Sequence, residues 1–339
     1  MSEELSSELL QPGTVLDVTG AYEYLSRLAG AGDDSAGSPS GPGEGPQSPA
    51  IVPKLKAATH ELAADLHTEL TWLQEVIDVL QSRQQIVFYG PPGTGKTYLA
   101  QAIAEHVTGV GTGAASLVQF HPSYAYEDFF EGYRPDGDDG KVGFRLRPGP
   151  LRLLATAAVR DPEKPHILII DEINRANLAK VFGELYFLLE YRKKRIRLQY
   201  SPEDLFSLPP NLFLIGTMNT ADRSIALVDA AIRRRFAFIE LHPDEPPVRD
   251  LLANWLEDPS AERVKLLRSL NDSIEEEDRD FKIGPSYLMR PEAETGPGLR
   301  RIWRFDLLPL LEEHYYGRLS RGEILRRFSL EAIQARIAE

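Results

Sequence analysis

Gly90-Pro91-Pro92-Gly93-Thr94-Gly95-Lys96-Thr97 fits the pattern G-x-x-x-x-G-K-[ST] at every fixed position. Glycines at these places let backbone N–H groups curl around a phosphate. The lysine ammonium reaches the outer phosphates, and the threonine hydroxyl is placed for Mg²⁺. Such a loop needs a strand before it and a helix after it. Ile86-Val87-Phe88-Tyr89 is a short apolar run, and Leu99, Ile103 and Val107 recur at helical spacing behind Lys96. The candidate nucleotide-binding residues are therefore Gly90, Pro91, Pro92, Gly93, Thr94, Gly95, Lys96 and Thr97, with Tyr98 next in line.

Downstream of the loop, strands continue to alternate with helices. Leu117 to Phe120 reads as a strand, and Leu151 to Val159 as a helix behind the start signal Pro148-Gly149-Pro150. Ile167 to Ile170 and Leu212 to Ile215 are continuous apolar runs, the mark of strands covered on both faces of a parallel sheet. The expected fold is α/β: a P-loop NTPase core, with a parallel sheet covered by helices, followed by a small helical lid. Upstream, Leu62, Leu66, Leu70, Leu73, Val76 and Leu80 predict one or two helices. Residues 31–50 hold thirteen Gly, Pro or Ser and no aromatic, which predicts a flexible linker. The expected division is an acidic tail and linker over 1–50, an α/β domain over 51–242 and a helical lid over 243–339.

Composition narrows the class. The 339 residues carry 38 basic and 51 acidic side chains, a formal net charge of −13. Residues 1–50 contribute eight acidic residues and one arginine, Arg27, so the rest of the chain is only mildly acidic. It is not a generally basic nucleic-acid surface, and any such contact needs a local patch or a partner. The absence of cysteine excludes disulfides, thiolate zinc sites and cysteine nucleophiles. No apolar run approaches the roughly 18 residues of a membrane span, and the acidic start, Met1-Ser2-Glu3-Glu4, does not read as a secretory signal. A cytoplasmic location without membrane contact is the expectation.

Two further motifs carry chemistry. The strand Ile167 to Ile170 runs into Asp171-Glu172. At that place Asp171 would hold Mg²⁺ with Thr97, and Glu172 would orient and deprotonate the attacking water. The strand Leu212 to Ile215 leads to Gly216-Thr217-Met218-Asn219, where the Asn219 amide could bind that water or the γ-phosphate without adding charge. A helix expected over Ile225 to Ile232 ends in Arg233-Arg234-Arg235-Phe236. These arginines either solvate a helix end and meet its dipole, or supply a finger to a neighbour's γ-phosphate.

Together these residues resemble the AAA+ superfamily, and within it the McrB family. The resemblance rests on Phe120-His121-Pro122-Ser123-Tyr124, Tyr126-Glu127-Asp128-Phe129 and Glu131-Gly132-Tyr133-Arg134-Pro135. It continues through Asp171-Glu172-Ile173-Asn174-Arg175-Ala176-Asn177, Met218-Asn219-Thr220-Ala221-Asp222-Arg223-Ser224 and Ile283-Gly284-Pro285-Ser286-Tyr287. It spans about residues 75–320. It implies a ring-forming motor, expected to be a hexamer, that hydrolyses GTP (or ATP) and drives an McrC-like nuclease subunit in modification-dependent restriction. DNA would be met through that partner or the ring pore. Asn219 would be the sensor, Asp222 part of the signature, and Arg234 or Arg233 the finger.

The resemblance also implies that Arg192-Lys193-Lys194-Arg195-Ile196-Arg197-Leu198 forms a β-hairpin before the sensor strand, with basic side chains toward a partner or the pore. A solvated charged strand is the plainer alternative. The string Phe120, Tyr124, Tyr126, Phe129, Phe130, Tyr133 lies among Glu127, Asp128 and Glu131, which repel phosphates; packing or a subunit contact is expected rather than base stacking. Residues 1–50 hold no basic cluster or aromatic cage that could read a flipped base. The alternative function is an ATP-driven remodelling chaperone of the related MoxR type.

Overall fold

A computed structural model of the chain describes residues 52–109, 114–138, 141–221 and 230–338. The tail over 1–50 and Asp222 lie outside the described residues, as does most of the helix expected over 225–232. The described strands are β1 (Gln85–Gly90), β2 (Ala115–Gln119), β3 (Glu131–Asp138), β4 (Lys141–Pro148), β5 (His166–Asp171), β6 (Ile196–Arg197), β7 (Leu205–Phe206), β8 (Leu212–Asn219) and β9 (Ala237–Glu240). Five of them form one sheet in the order β2-β5-β8-β1-β9, with every neighbouring pair parallel.

Alternation along each central strand sends side chains to opposite faces. Ile167 and Ile169 of β5 join Ile86, Phe88, Phe213 and Ile215 on one face, under α1 (His60–Asp65), α2 (Leu70–Arg83) and α3 (Lys96–Thr108). Leu168 and Ile170 join Val87, Leu212 and Leu214 on the other. That second face is covered by α4 (Tyr126–Phe129), α5 (Pro150–Arg160), α6 (Leu178–Phe182) and α7 (Leu185–Leu188). Both faces are dry, which is why these strands read as continuous apolar runs.

Three features depart from the sequence reading. β9 forms a fifth strand beside β1, and β3 and β4 pair over their full length as an antiparallel hairpin between α4 and α5. The β6–β7 hairpin exists, but Arg192 points inward rather than toward a partner. Its guanidinium donates to Gln85 Oε1 at 2.8 Å and to the Leu212 carbonyl at 2.8 Å. Burial pushes its pKa down to about 10. Lys193, Lys194, Arg195 and Arg197 are exposed. Within the aromatic string, Phe120, Tyr126, Phe129 and Phe130 are buried in the core, whereas Tyr133 is 53% exposed on β3.

After α8 (Ala230–Arg235) and β9 the chain becomes helical. α9 (Val248–Leu256), α10 (Glu262–Asp272), α11 (Gly296–Ile302), α12 (Leu308–His314), α13 (Arg321–Phe328) and α14 (Leu330–Ala338) enclose a core of their own around Leu266, Leu270, Trp303, Leu307 and Phe328. The Trp303 indole N–H donates to the Phe328 carbonyl at 2.8 Å, which satisfies its one polar atom inside that core. Among the described residues no helix is long and apolar enough to cross a membrane.

Candidate functional site

The sheet's carboxyl edge gathers the candidate residues. Register pairs Gly90 with Asn219 across β1 and β8, and Gln119 with Asp171 across β2 and β5. Beyond β1 the loop turns back on itself, with Gly90, Gly93 and Gly95 at φ of 149°, 79° and 84°. Gly95 is the residue before α3, so a left-handed backbone there aims the first turn of the helix at the loop. The helix N-terminus and its free N–H groups then face the space where an anion would sit.

Lys96 is buried, and its ammonium donates to the carbonyls of Gly90 at 3.0 Å and Pro91 at 2.7 Å. The Thr97 hydroxyl donates to Asp171 Oδ1 at 2.6 Å. Asp171 Oδ1 also accepts from the Thr217 hydroxyl at 2.6 Å, and Gln119 reaches Oδ2 at 3.4 Å. Thr97 and Asp171 offer oxygen donors only, which suits a hard cation such as Mg²⁺. No group of three or more His, Cys, Asp or Glu that could hold a metal exists among the described residues. Mg²⁺ is typically bound by one or two protein oxygens plus phosphates and water, so the residues present fit it.

Glu172 adopts φ 53° and ψ 45°, a conformation that costs a non-glycine residue energy and recurs at functional sites. Its backbone N–H donates to Thr217 Oγ1 at 3.2 Å. The Asn219 amide donates to Glu172 Oε1, and Arg175 pairs with Oε2 at 3.4 Å. The acid and amide proposed from two distant segments therefore touch. Thr217 is the residue that sequence reasoning missed: one hydroxyl holds both Asp171 and the turn at Glu172. A threonine in a buried strand reads as an ordinary β-former.

The string Ile283 to Tyr287, quoted for the resemblance but given no role, forms a 3₁₀ turn at Pro285–Tyr287 and the loop before it. The Gly284 N–H donates to the Pro92 carbonyl at 3.0 Å and the Ser286 N–H to Gly93 at 3.1 Å. A Cβ on Gly93 would lie 2.6 Å from the Tyr287 ring, and one on Gly284 would overlap the Gly93 carbonyl group. Thr220, after Asn219, donates to the Asp280 carbonyl at 3.1 Å. The helical unit thus rests on the phosphate loop through backbone contacts.

The other candidates lie farther out. Tyr98 is 48% exposed on α3 and lines a groove against α1 with Leu62 and Asp65. Arg233 and Arg234 are exposed at the end of α8. Arg233 lies over the Phe238 ring, and Arg234 is 3.5 Å from Glu190. Arg235 is committed internally: it pairs with Glu190 at 2.8 Å and lies over the Tyr186 ring.

Comparison with known proteins identifies related domains. Residues 85–236 match the AAA domain of the dynein-related subfamily, and residues 262–323 match the α-helical lid domain of McrB. The chain is 42% identical over 271 residues to the type IV methyl-directed restriction enzyme EcoKMcrB subunit of Escherichia coli K12. That match covers 74% of this chain and 58% of that protein, so the chain spans little more than half its relative's length. It is 26% identical over 275 residues to the type II restriction enzyme BsuMI component YdiS of Bacillus subtilis 168, covering 68% of this chain and 78% of that protein. The lid match favours the first resemblance over the chaperone alternative.

Proposed function

Since the chain belongs to the McrB family, pairing an AAA domain with the McrB lid, we propose that it is a nucleoside-triphosphate hydrolase that powers a restriction nuclease. The observation that carries this reading is the contact of Glu172 with Asn219 beside the Thr97–Asp171–Thr217 cluster, all at the mouth of the phosphate loop.

Residues 90–98 bind the triphosphate of GTP or ATP. Thr97 and Asp171 hold Mg²⁺, which when bound neutralises charge on the phosphate oxygens. Lys96 gives up its loop carbonyls to meet the outer phosphates. Glu172 takes a proton from the attacking water while Asn219 fixes the carboxylate and the water in line. Asn219 is already bonded to Glu172 and Thr217 to Asp171 before substrate arrives, so the acidic pair needs little reorganisation as charge develops on the transferring phosphoryl. Asp222 belongs to the same segment as Asn219 and supports the sensor. We read residues 51–242 as the motor domain, 243–339 as its lid and 1–50 as a tail.

The active form is a ring of copies, a hexamer by resemblance, working in the cytoplasm with an McrC-like nuclease subunit that meets the DNA. Turnover measured with GTP and with ATP, with and without that subunit, tests the reading. The expected result is hydrolysis that the subunit stimulates and that Lys96→Ala abolishes. Hydrolysis indifferent to the subunit and to Lys96→Ala would overturn it.

A further inference from the structure

We propose that an arginine-rimmed groove on the helical unit receives the acidic N-terminal segment of this same chain. The groove encloses about 770 Å³ between α11, α12, α13 and the start of α14. Its floor is apolar: Trp303, Leu308 and Leu330, with Phe305 at 63% exposure and Leu325 at 38%. Four exposed arginines, Arg300, Arg301, Arg304 and Arg321, stand on its rim.

The rim is not charge-balanced. Arg301 pairs with Glu292 at 2.8 Å and Arg321 with Glu312 at 3.1 Å. Among the described residues neither Arg300 nor Arg304 has a carboxylate within ion-pair distance, and Arg304 instead lies over the Phe305 ring. An exposed phenylalanine beside two uncommitted guanidinium groups is an unusual surface in a chain of net charge −13. It asks for an occupant that is apolar on one side and acidic on the other. A nucleic-acid backbone fits less well, because the apolar floor offers it nothing.

The N-terminal segment has the required chemistry. Val18, Ala21, Tyr22, Leu25 and Leu28 fall on one face at helical spacing, with Asp17 and Glu23 beside them. Glu3, Glu4 and Glu8 precede this stretch. Its tether is long enough. The Gly, Pro and Ser-rich residues 31–50 span at most about 70 Å when extended. A globule of this size has a radius of gyration near 19 Å, hence a diameter of roughly 50 Å. The farthest point over the surface of such a sphere is about 79 Å away, so most of the chain's own surface is within reach of the extended tether, which raises the local concentration toward the millimolar range. A weak groove would therefore be filled.

The test uses a labelled peptide of residues 1–30 and the chain beginning at residue 51, with fluorescence anisotropy as the readout. The expected result is saturable binding that weakens at least tenfold in 0.5 M salt. The double variant Arg300→Glu/Arg304→Glu should weaken it at least tenfold, and so should Tyr22→Ser/Leu25→Ser in the peptide. Both protein substitutions sit on an exposed rim, so an unchanged thermal midpoint separates lost docking from lost folding. In the full-length chain, the free peptide should bind at least tenfold more weakly because the tethered segment competes. No saturable binding overturns the proposal. So does binding indifferent to the arginine variants, or a groove that takes up an oligonucleotide or a second copy of the chain while rejecting the peptide.

Discussion

Thr217 bonds to both acidic residues of the site. Its hydroxyl donates to Asp171 and accepts from the Glu172 backbone, so Thr217→Val keeps the shape and removes both bonds. Groups that orient a metal ligand are typically worth about 10–100-fold in metal affinity or activity. The variant should hydrolyse nucleotide about tenfold more slowly and need more Mg²⁺ for half-maximal rate, read from a Mg²⁺ titration of turnover. Glu172→Gln asks a different question. It keeps size and the contact with Asn219 but removes the base, so affinity should stay within a few-fold while turnover falls by about a hundredfold or more. Near-normal turnover would remove Glu172 from its role. The phosphate loop and the Asp171-Glu172 pair were legible in the sequence because their chemistry needs fixed spacing next to a buried strand. Thr217 and the inward turn of Arg192 were not, because what each contacts is set by strands far away in sequence. The finger candidates narrowed for the same reason, with Arg235 spoken for by Glu190 and Tyr186.

Elements were legible in proportion to their burial. β5 and β8, covered on both faces, announced themselves as apolar runs. β9 is four half-buried residues at a sheet edge, and β3 carries Arg134-Pro135-Asp136-Gly137-Asp138, so neither gives a periodic signal. The contact between the lid and the phosphate loop was invisible for another reason: backbone atoms make it, and only the glycines betray it. Gly284→Ala places a methyl group against Gly93, and such overpacking costs about 1–3 kcal/mol. The loop must lift away, and nucleotide binding should weaken about tenfold, measurable with a fluorescent nucleotide analogue while far-ultraviolet circular dichroism stays native. An unchanged affinity would mean that this contact plays no part in binding. The helical unit also has its own acid sensitivity. Asp278 is buried, which alone would raise its pKa, but hydrogen bonds from Arg318 and His314 outweigh this and hold the carboxyl below its usual range. A depressed folded-state pKa contributes stability above the ordinary carboxylate value near about 4, and that stability drains away as pH falls through the folded value. Thermal midpoints should therefore fall below about pH 4 in the native chain and fall less steeply in Asp278→Asn.

At the scale of the whole molecule, Arg234, the first finger candidate, is poorly placed to serve its own phosphates. The Arg235 carbonyl accepts from the Gln85 side chain at 2.6 Å, and the Arg234 carbonyl from Arg83 at 3.4 Å. Both contacts fix the end of α8 at the start of β1, whereas the phosphate loop begins at its far end, Gly90. Five residues of strand separate the two by roughly 17 Å, more than twice the length of an arginine side chain. A finger at Arg234 would therefore act on another copy, so hydrolysis should depend on assembly. Arg234 is 63% exposed and held by one contact to Glu190 at 3.5 Å, which makes it the first choice, with Arg233 the second. Removing a finger costs about 10³–10⁵ in rate. Arg234→Ala leaves the nucleotide site whole but the finger absent, while Lys96→Ala keeps the finger and disables the site. Neither should hydrolyse alone. Mixed after subunit exchange, they should recover part of the native rate, because some Arg234→Ala subunits then face a neighbour that still carries Arg234. Recovery should rise and fall with the mixing ratio and peak near equal amounts. If both variants assemble and exchange, yet the mixtures stay inactive for Arg234→Ala and for Arg233→Ala alike, the arginines at this helix end do not act across the interface.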